Sequence, residues 1–371
     1  MMLENLANEL LFDLFQYFDS IHLIYAFCGL NSRFNNLLFI HFQTHSLDFR
    51  SVSKHHFENI SQEHILSIAN QIVSLGLFSN DETPTIALYF SRYFMLKQFN
   101  YLQSLSLCDV NSPYILNRII RQCHDLLYLT HLYITKCEFS WENNALDLIN
   151  SIWSLPKLSH LKLDLVLFDT LRFSDIKVIS LTIEHLSINI YNWDFTELSH
   201  LFENTPYLRD LSTIYMNYSN TRYLLNVSPL MSELKLALIG SFNPTPILFH
   251  SMTNIFSKMP NLSYLTIRST QTNFDGNYWK KILIEYLPNI KVFQLKMDFI
   301  FDFHIEKEEQ VDQLLVSFRT SFWLEEHRWF VCCDWYPSST MEDGFLYTLP
   351  YAFDKYTYND QIQTIRQETY R

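Results

Sequence analysis

One phrase recurs through the middle of the chain and limits the possible folds more than any other feature. It is an apolar residue, two others, an apolar residue, one other, and an apolar residue. It reads LQSLSL from Leu102, LTHLYI from Leu129, LSHLKL from Leu158 and IEHLSI from Ile183. It returns as LRDLST from Leu208, MSELKL from Met231, LSYLTI from Leu262 and IKVFQL from Ile290. Successive anchors lie 27, 29, 25, 25, 23, 31 and 28 residues apart. Self-similarity at such a period marks a repeat architecture. Alternation within each copy reads as a half-buried strand. The copy at Leu208 is imperfect, with Thr213 at its third apolar position.

Proline adds a second mark. Pro156, Pro206, Pro229, Pro260 and Pro288 each stand two residues before an anchor. Helical patterns run up to three of them: ALDLINSIWSL, ILFHSMTNIFSKM and NYWKKILIEYL. Proline cannot continue a helix, and it holds the preceding residue extended. Each unit therefore reads helix, stop, short strand. The predicted fold is an α/β solenoid, with parallel strands on the concave side and helices on the convex side. A doubly wound α/β domain is the competing fold. Its strands, covered on both faces, would be near-continuously apolar, and these alternate. The copy at Leu129 continues as LTHLYITKCEF and resembles the full leucine-rich repeat, with Cys137 where Asn or Cys bonds the turn backbone.

The alternation also predicts the open face. Its side chains include His131, Tyr133, His160, Lys162, His185, Asp210, Lys235, Tyr264, Arg268 and Lys296. A side-chain-decorated concave surface is the usual ligand face of a solenoid. Substrate contacts are expected from Tyr133, His160, Lys162, His185, Asp210, Lys235, Tyr264 and Arg268. His131, His160 and His185 share one rung position in consecutive copies, with Asp210 next. Three imidazoles in a row open a remote alternative, a metal-dependent hydrolase. The preferred reading is a row that contacts solvent or peptide, with no cofactor and no metal.

Composition removes other classes. A net charge of −12 argues against a nucleic-acid or anionic-membrane partner. Only five glycines occur, too scattered for a Gly-rich phosphate cradle. Six cysteines show no C-x-x-C spacing, so free thiols are expected. WLEEHRW, with Glu325, Glu326 and His327, reads as a charged turn, and no nucleophile motif accompanies it. The chain is read as non-enzymatic.

The N-terminal stretch ENLANELLFDLFQYFDSIHLIYAFCGLNSRF is apolar yet carries Glu4, Glu9, Asp13 and Asp19. It fits neither a signal peptide nor a spanning helix. An intracellular protein is expected, cytoplasmic or nuclear. Periodicity predicts three short helices, with Asn8 as the first N-cap and a restart at Asp19-Ser20. Helices so short cannot bury this much apolar area alone.

The order L-x-x-E-L-L-x-x-L-F-x-Y-F-D, then HL, then GLNSRFNNL resembles an F-box. Leu6, Glu9, Leu14-Phe15, Tyr17-Phe18-Asp19, Leu23 and Arg33-Phe34 carry the match. Ala7 stands where the pattern has proline, and Phe34 where tryptophan is common. With the downstream repeats, the chain resembles the F-box–leucine-rich-repeat proteins. The resemblance implies the substrate receptor of an SCF-type ubiquitin ligase. Its F-box would bind a Skp-type adaptor, and through it a cullin scaffold, and its repeats would hold a protein substrate. Leu6, Leu10, Leu14, Phe15, Leu23, Leu30 and Phe34 are candidates for the adaptor face or for the small helical core. The alternative is a leucine-rich scaffold with a helical cap and no ubiquitin role.

The expected domains are an F-box over 1–40, a connector with a possible degenerate first repeat over 41–100, repeats over 101–300 and a cap over 301–371. Within the connector, HSLDFRSV predicts a strand and SQEHILSIANQIVSLGLF a helix. In the last segment EKEEQVDQLLVSF predicts a helix, and GFLYTLPY is expected to pair with RWFVCCDW. Trp323, Trp329 and Trp335 are read as sealing the open end of the array, with a partner-contact site as the alternative. The tail from Tyr356 is expected to fray.

Overall fold

A computed structural model describes residues 3–49, 57, 64–79, 86–139, 145–167, 172–189, 195–215, 228, 230–239, 252–270, 274–302, 304–335, 343–353 and 363–366. The chain is an α/β protein. Short N-terminal helices precede mostly parallel strands that alternate with helices. It divides into two compact units, Met1–Ser187 and Ile188–Arg371.

The first unit opens with α1 (Asn8–Phe15), α2 (Ser20–Phe27) and α3 (Ser32–Thr44). The caps follow from sequence. Asp19 accepts from the His22 N–H at the start of α2, and Asn31 accepts from the Phe34 N–H at the start of α3. Gly29, at φ +80°, provides the left-handed residue just past the end of α2. The predicted cap of α1 is shifted by one residue. Ala7, not Asn8, holds the N-cap and makes no side-chain cap bond. Asn8 Oδ1 is taken instead by Arg33, whose Nε and Nη2 donate to it at 2.9 and 2.7 Å. Arg33 also donates to the carbonyls of Glu4 and Leu6. A charged donor satisfying three acceptors outweighs one neutral cap bond.

Five strands and the start of a sixth follow: β1 (Leu47–Asp48), β2 (Ser74–Phe78), β3 (Ser104–Cys108), β4 (His131–Phe139), β5 (His160–Leu167) and β6 (His185–Asn189). Strands β1 to β5 pair in parallel and in chain order, with Ser74 opposite Ser104, Ser104 opposite His131, and His131 opposite His160. Here one expectation fails. The helix predicted through Phe78 is helical only as far as Gln71, and Ser74–Phe78 is strand β2. Edges on β1 and β3 offer it a full backbone ladder, while Leu75 and Leu77 bury on one face. Helix α4 (Ile86–Tyr93), α5 (Pro113–Cys123) and α6 (Ala145–Trp153) connect the strands. Ser112 caps α5, with Pro113 at its first turn. Cys137 acts as anticipated: Sγ accepts from the Val110 N–H in the preceding turn at 3.4 Å.

The second unit contains α7 (Phe195–Asn204), β7 (Asp210–Tyr215), β8 (Glu233–Ile239), β9 (Tyr264–Thr270), α8 (Gly276–Tyr286) and β10 (Val292–Ile300). Strands β7 to β10 are parallel neighbours. The helical pattern before Pro260 is helical over 252–256, and its earlier part lies outside the described residues. After β10 the direction reverses. Strand β12 (Asp343–Thr348) pairs antiparallel with β10, β11 (Val331–Trp335) with β12, and β13 (Gln363–Arg366) with β11. GFLYTLPY thus pairs with RWFVCCDW as expected. The tail does not simply fray: Cys333 lies opposite Ile365 in a regular ladder. An unpaired edge on β11 would expose backbone donors and acceptors, and β13 covers it. Helix α9 (Lys307–Ser317) is the charged-start helix predicted, with Val311 and Leu315 buried.

Two local devices repeat in both units. After six of the eight strand anchors, the next residue sends its carbonyl to two N–H groups of the next rung. Gln103 O serves Thr130 and His131, Thr130 O serves Ser159 and His160, and Ser263 O serves Lys291 and Val292. Proline's place is explained by the second device. The anchor N–H closes a turn onto the carbonyl three residues back: Leu208 to Thr205, Leu262 to Met259, Ile290 to Leu287. Proline at the second position of such a turn has its preferred φ already set. All 24 apolar-phrase positions are buried, at 9 % exposure or less, Thr213 among them at 4 %.

Trp323, Trp329 and Trp335 are 0 %, 9 % and 1 % exposed, so the partner-contact alternative for them falls. Trp323 packs on Phe293 of β10 and on Phe318, and Trp329 on Phe293 and Trp323. Gly276 lets α8 approach the end of α9. Its N–H donates to Ser317 Oγ at 2.7 Å, and a Cβ there would overlap the Ser317 carbonyl and lie 2.9 Å from Phe318 Cγ. Gly276→Ala is therefore expected to destabilise the chain by about 1–3 kcal/mol through overpacking. Urea denaturation of the two proteins measures this directly.

Candidate binding surfaces

Two surfaces emerge, one on the N-terminal helices and one on the strands. The helical core is built from Leu11, Phe15, Leu23, Ile24, Phe27, Phe34 and Leu38, all at 5 % exposure or less. Phe27 packs between Phe15 and Phe34, with ring centroids 5.1 and 5.2 Å away and the rings tilted. Helix α2 packs on β1 and α3 on β2. This sorts the candidates. Phe15, Leu23 and Phe34 belong to the core. Leu10 and Leu30 point outward at 54 % and 61 % exposure, and Leu6 and Leu14 are half-buried. Tyr17, Phe18 and Tyr25 are exposed as well. Ala7 has φ −63°, the angle proline would impose, so the first turn holds that geometry without proline.

On the strands, the alternation sets the outward face as expected. Tyr133, His160 and His185 are half-buried and Lys162 is exposed, all in the first unit. The register places His160 beside His131 and Lys162 beside Tyr133. The three imidazoles form a stack, with centroids 4.1 Å apart from His131 to His160 and 4.0 Å from His160 to His185. Interplanar angles are 15° and 17°. Hydroxyls of the preceding residues hold the first two rings: Thr130 Oγ1 lies 2.8 Å from His131 Nδ1, and Ser159 Oγ 2.9 Å from His160 Nδ1.

Stacked rings carry their nitrogen lone pairs in parallel planes. Three ligands of one tetrahedral ion must aim at a common point, and these do not. Among the described residues no group of three or more His, Cys, Asp or Glu side chains is placed to hold a metal. Burial, and then the neighbouring charge of His185, hold His131 below the usual histidine pKa. Burial also raises the Tyr133 phenol.

In the second unit Asp210 is half-buried, and Lys235, Tyr264 and Arg268 are exposed. Asp210 accepts from Ser232 Oγ at 3.1 Å and lies beside Glu233, while Lys235 pairs with Glu233 at 2.8 Å. Sequence reasoning placed Lys296 on this face without selecting it. It stands in register with Arg268. A rim pair was missed altogether: Tyr101 and Tyr128, each just before an anchor, stack at 5.7 Å with Lys157 over Tyr128. The usable signal was an exposed aromatic in the same place in consecutive copies. His327 of the charged turn stacks on Trp329 at 4.2 Å, and burial lowers its pKa.

The helical core also contains a titratable group. His41 packs edge-on against Phe15 and Phe42 and face-on against His45. Burial, and then the charge of His45, lower its pKa to about 4. The unfolded chain binds this proton near pH ~6.5 and the folded chain does not, so stability falls as pH drops between those values. In urea denaturation, the fall in stability from pH 7 to pH 5 should be about 2 kcal/mol smaller for His41→Phe than for the unchanged chain.

Among the described residues no helix is long and apolar enough to cross a membrane. A scan against protein-family models and a search of curated proteins returned no match to this chain.

Proposed function

We propose that this chain is a non-catalytic substrate receptor of an SCF-type ubiquitin ligase, acting in the cytoplasm or nucleus. The N-terminal helices form an F-box that docks on a Skp-type adaptor, which links it to a cullin scaffold. The parallel strands form the concave face of a leucine-rich solenoid, and that face holds a protein substrate. The antiparallel strands and their tryptophans cap its end. The receptor forms no covalent bond with substrate. It raises the effective concentration of substrate lysines near the conjugating enzyme.

One observation carries this reading. The helical core is already full, yet Leu10, Tyr17, Tyr25 and Leu30 remain exposed at 54 %, 87 %, 70 % and 61 %. Large apolar side chains left exposed on so small a set of helices suit a protein interface. A second reading is a leucine-rich scaffold whose helices only cap the array. The packing of α2 on β1 and α3 on β2 within one compact unit favours it. The remote hydrolase reading needs converging histidines, which the stack opposes.

Adaptor binding separates the first two. A purified Skp-type adaptor should retain the full-length chain in a pull-down. Leu10→Asp should weaken retention tenfold or more, about 1.4 kcal/mol, with thermal stability unchanged. Phe15→Ala should lower stability by about 3–5 kcal/mol. A folded chain that the adaptor does not retain would leave the scaffold reading in place.

A further inference from the structure

On the outward face of the second unit, Arg268 is exposed in the middle of a strand. Among the described residues it makes no hydrogen bond and no ion pair. The other cations of that face are engaged. Lys235 is bound to Glu233 at 2.8 Å. Lys296 donates to the Tyr351 hydroxyl at 3.3 Å, and its ammonium lies over the rings of Phe345 and Tyr351. The register sets Lys296 directly beside Arg268 on one side and Ala237 on the other.

Each neighbour has a consequence. Like charges directly opposite on adjacent strands are destabilising, so the Arg268–Lys296 rung gains from a bound counter-charge. Ala237 is the smallest side chain in its row and leaves room beside the guanidinium. Tyr264 and Thr266 continue the same face toward the start of β9, and Tyr264 is 46 % exposed. Among the described residues of β8, β9 and β10, the acidic position nearest in register is Asp298, two residues beyond Lys296 and opposite Thr270 rather than Arg268. No ion pair joins Asp298 to Arg268.

We propose that Arg268 is the anchor for a single carboxylate side chain, Asp or Glu, of an extended peptide segment running along β9, with β8 and β10 on either side. Arginine's planar fork binds a carboxylate through two parallel hydrogen bonds. Lys296 adds positive potential without needing to move. A dianionic phosphate calls for more than one unengaged cation, and this rung offers one. Tyr264 supplies an aromatic contact about 13 Å back along the strand, four residues at about 3.3 Å each. A ligand with an acidic residue and an apolar residue roughly four positions apart would span both. The inference rests on the receptor reading and defines the class of segment the strands select.

The test uses the immobilised full-length chain and a phage-displayed library of random ten-residue peptides, with no adaptor present. Its outcome is therefore independent of the adaptor pull-down. Selected peptides should carry Asp or Glu at a recurrent position. For a selected peptide made synthetically, Arg268→Glu should weaken binding at least tenfold by fluorescence anisotropy. Changing the peptide's acidic residue to Lys should restore binding to that variant. Circular dichroism should show both chains equally folded. Selection without acidic enrichment, equal binding by Arg268→Glu, or tighter binding of the same synthetic peptide made with phosphoserine in place of its acidic residue would overturn the proposal.

Discussion

The repeated rung depends on one shared hydrogen-bond acceptor. The carbonyls after six of the eight anchors, those of Gln103, Thr130, Ser159, Arg209, Ser232 and Ser263, each take two N–H groups from the next rung. That bond sets the parallel register at the first residue of each strand. Side-chain direction alternates with a period of two, so a slip of one residue would turn every buried leucine to solvent. The anchors and the shared carbonyl therefore reinforce each other. Together they place each outward side chain beside its counterpart in the next copy. The histidine stack and the Arg268–Lys296 rung both follow from this alignment.

Much of this order could be read directly from the residues. Leu102, Leu105 and Leu107 announce a strand and its buried face, and every later copy repeats the message. Pro206, Pro260 and Pro288 marked helix stops because proline cannot continue a helix, and in the fold each fills the second position of a turn. Cys137 could be assigned because LTHLYITKCEF resembles the full leucine-rich repeat, where Asn or Cys at that place bonds the turn backbone.

Other elements were illegible for physical reasons. SLGLF lies directly after a helical pattern, and short apolar runs do not distinguish strand from helix. Its pairing with distant β1 and β3 decided the matter. The residues of β13 have no alternation strong enough to declare a strand, and the open edge of β11 recruits them. At the N-terminus, Leu10 and Leu14 and Phe15 share one apolar pattern. Only the packing of three helices determines that Phe15 turns inward and Leu10 outward. Arg33, 25 residues away in sequence, took Asn8 from its predicted capping role.

By itself, the sequence determined a strand–helix repeat with one buried face, because periodicity and proline placement are local properties of the chain. The tertiary structure alone decided which exposed groups remain without a partner. Lys296 is satisfied by Tyr351, 55 residues further on, whereas among the described residues Arg268 beside it has no such neighbour. Charge is visible in a sequence, but its neutralisation depends on what folding brings within a few ångströms.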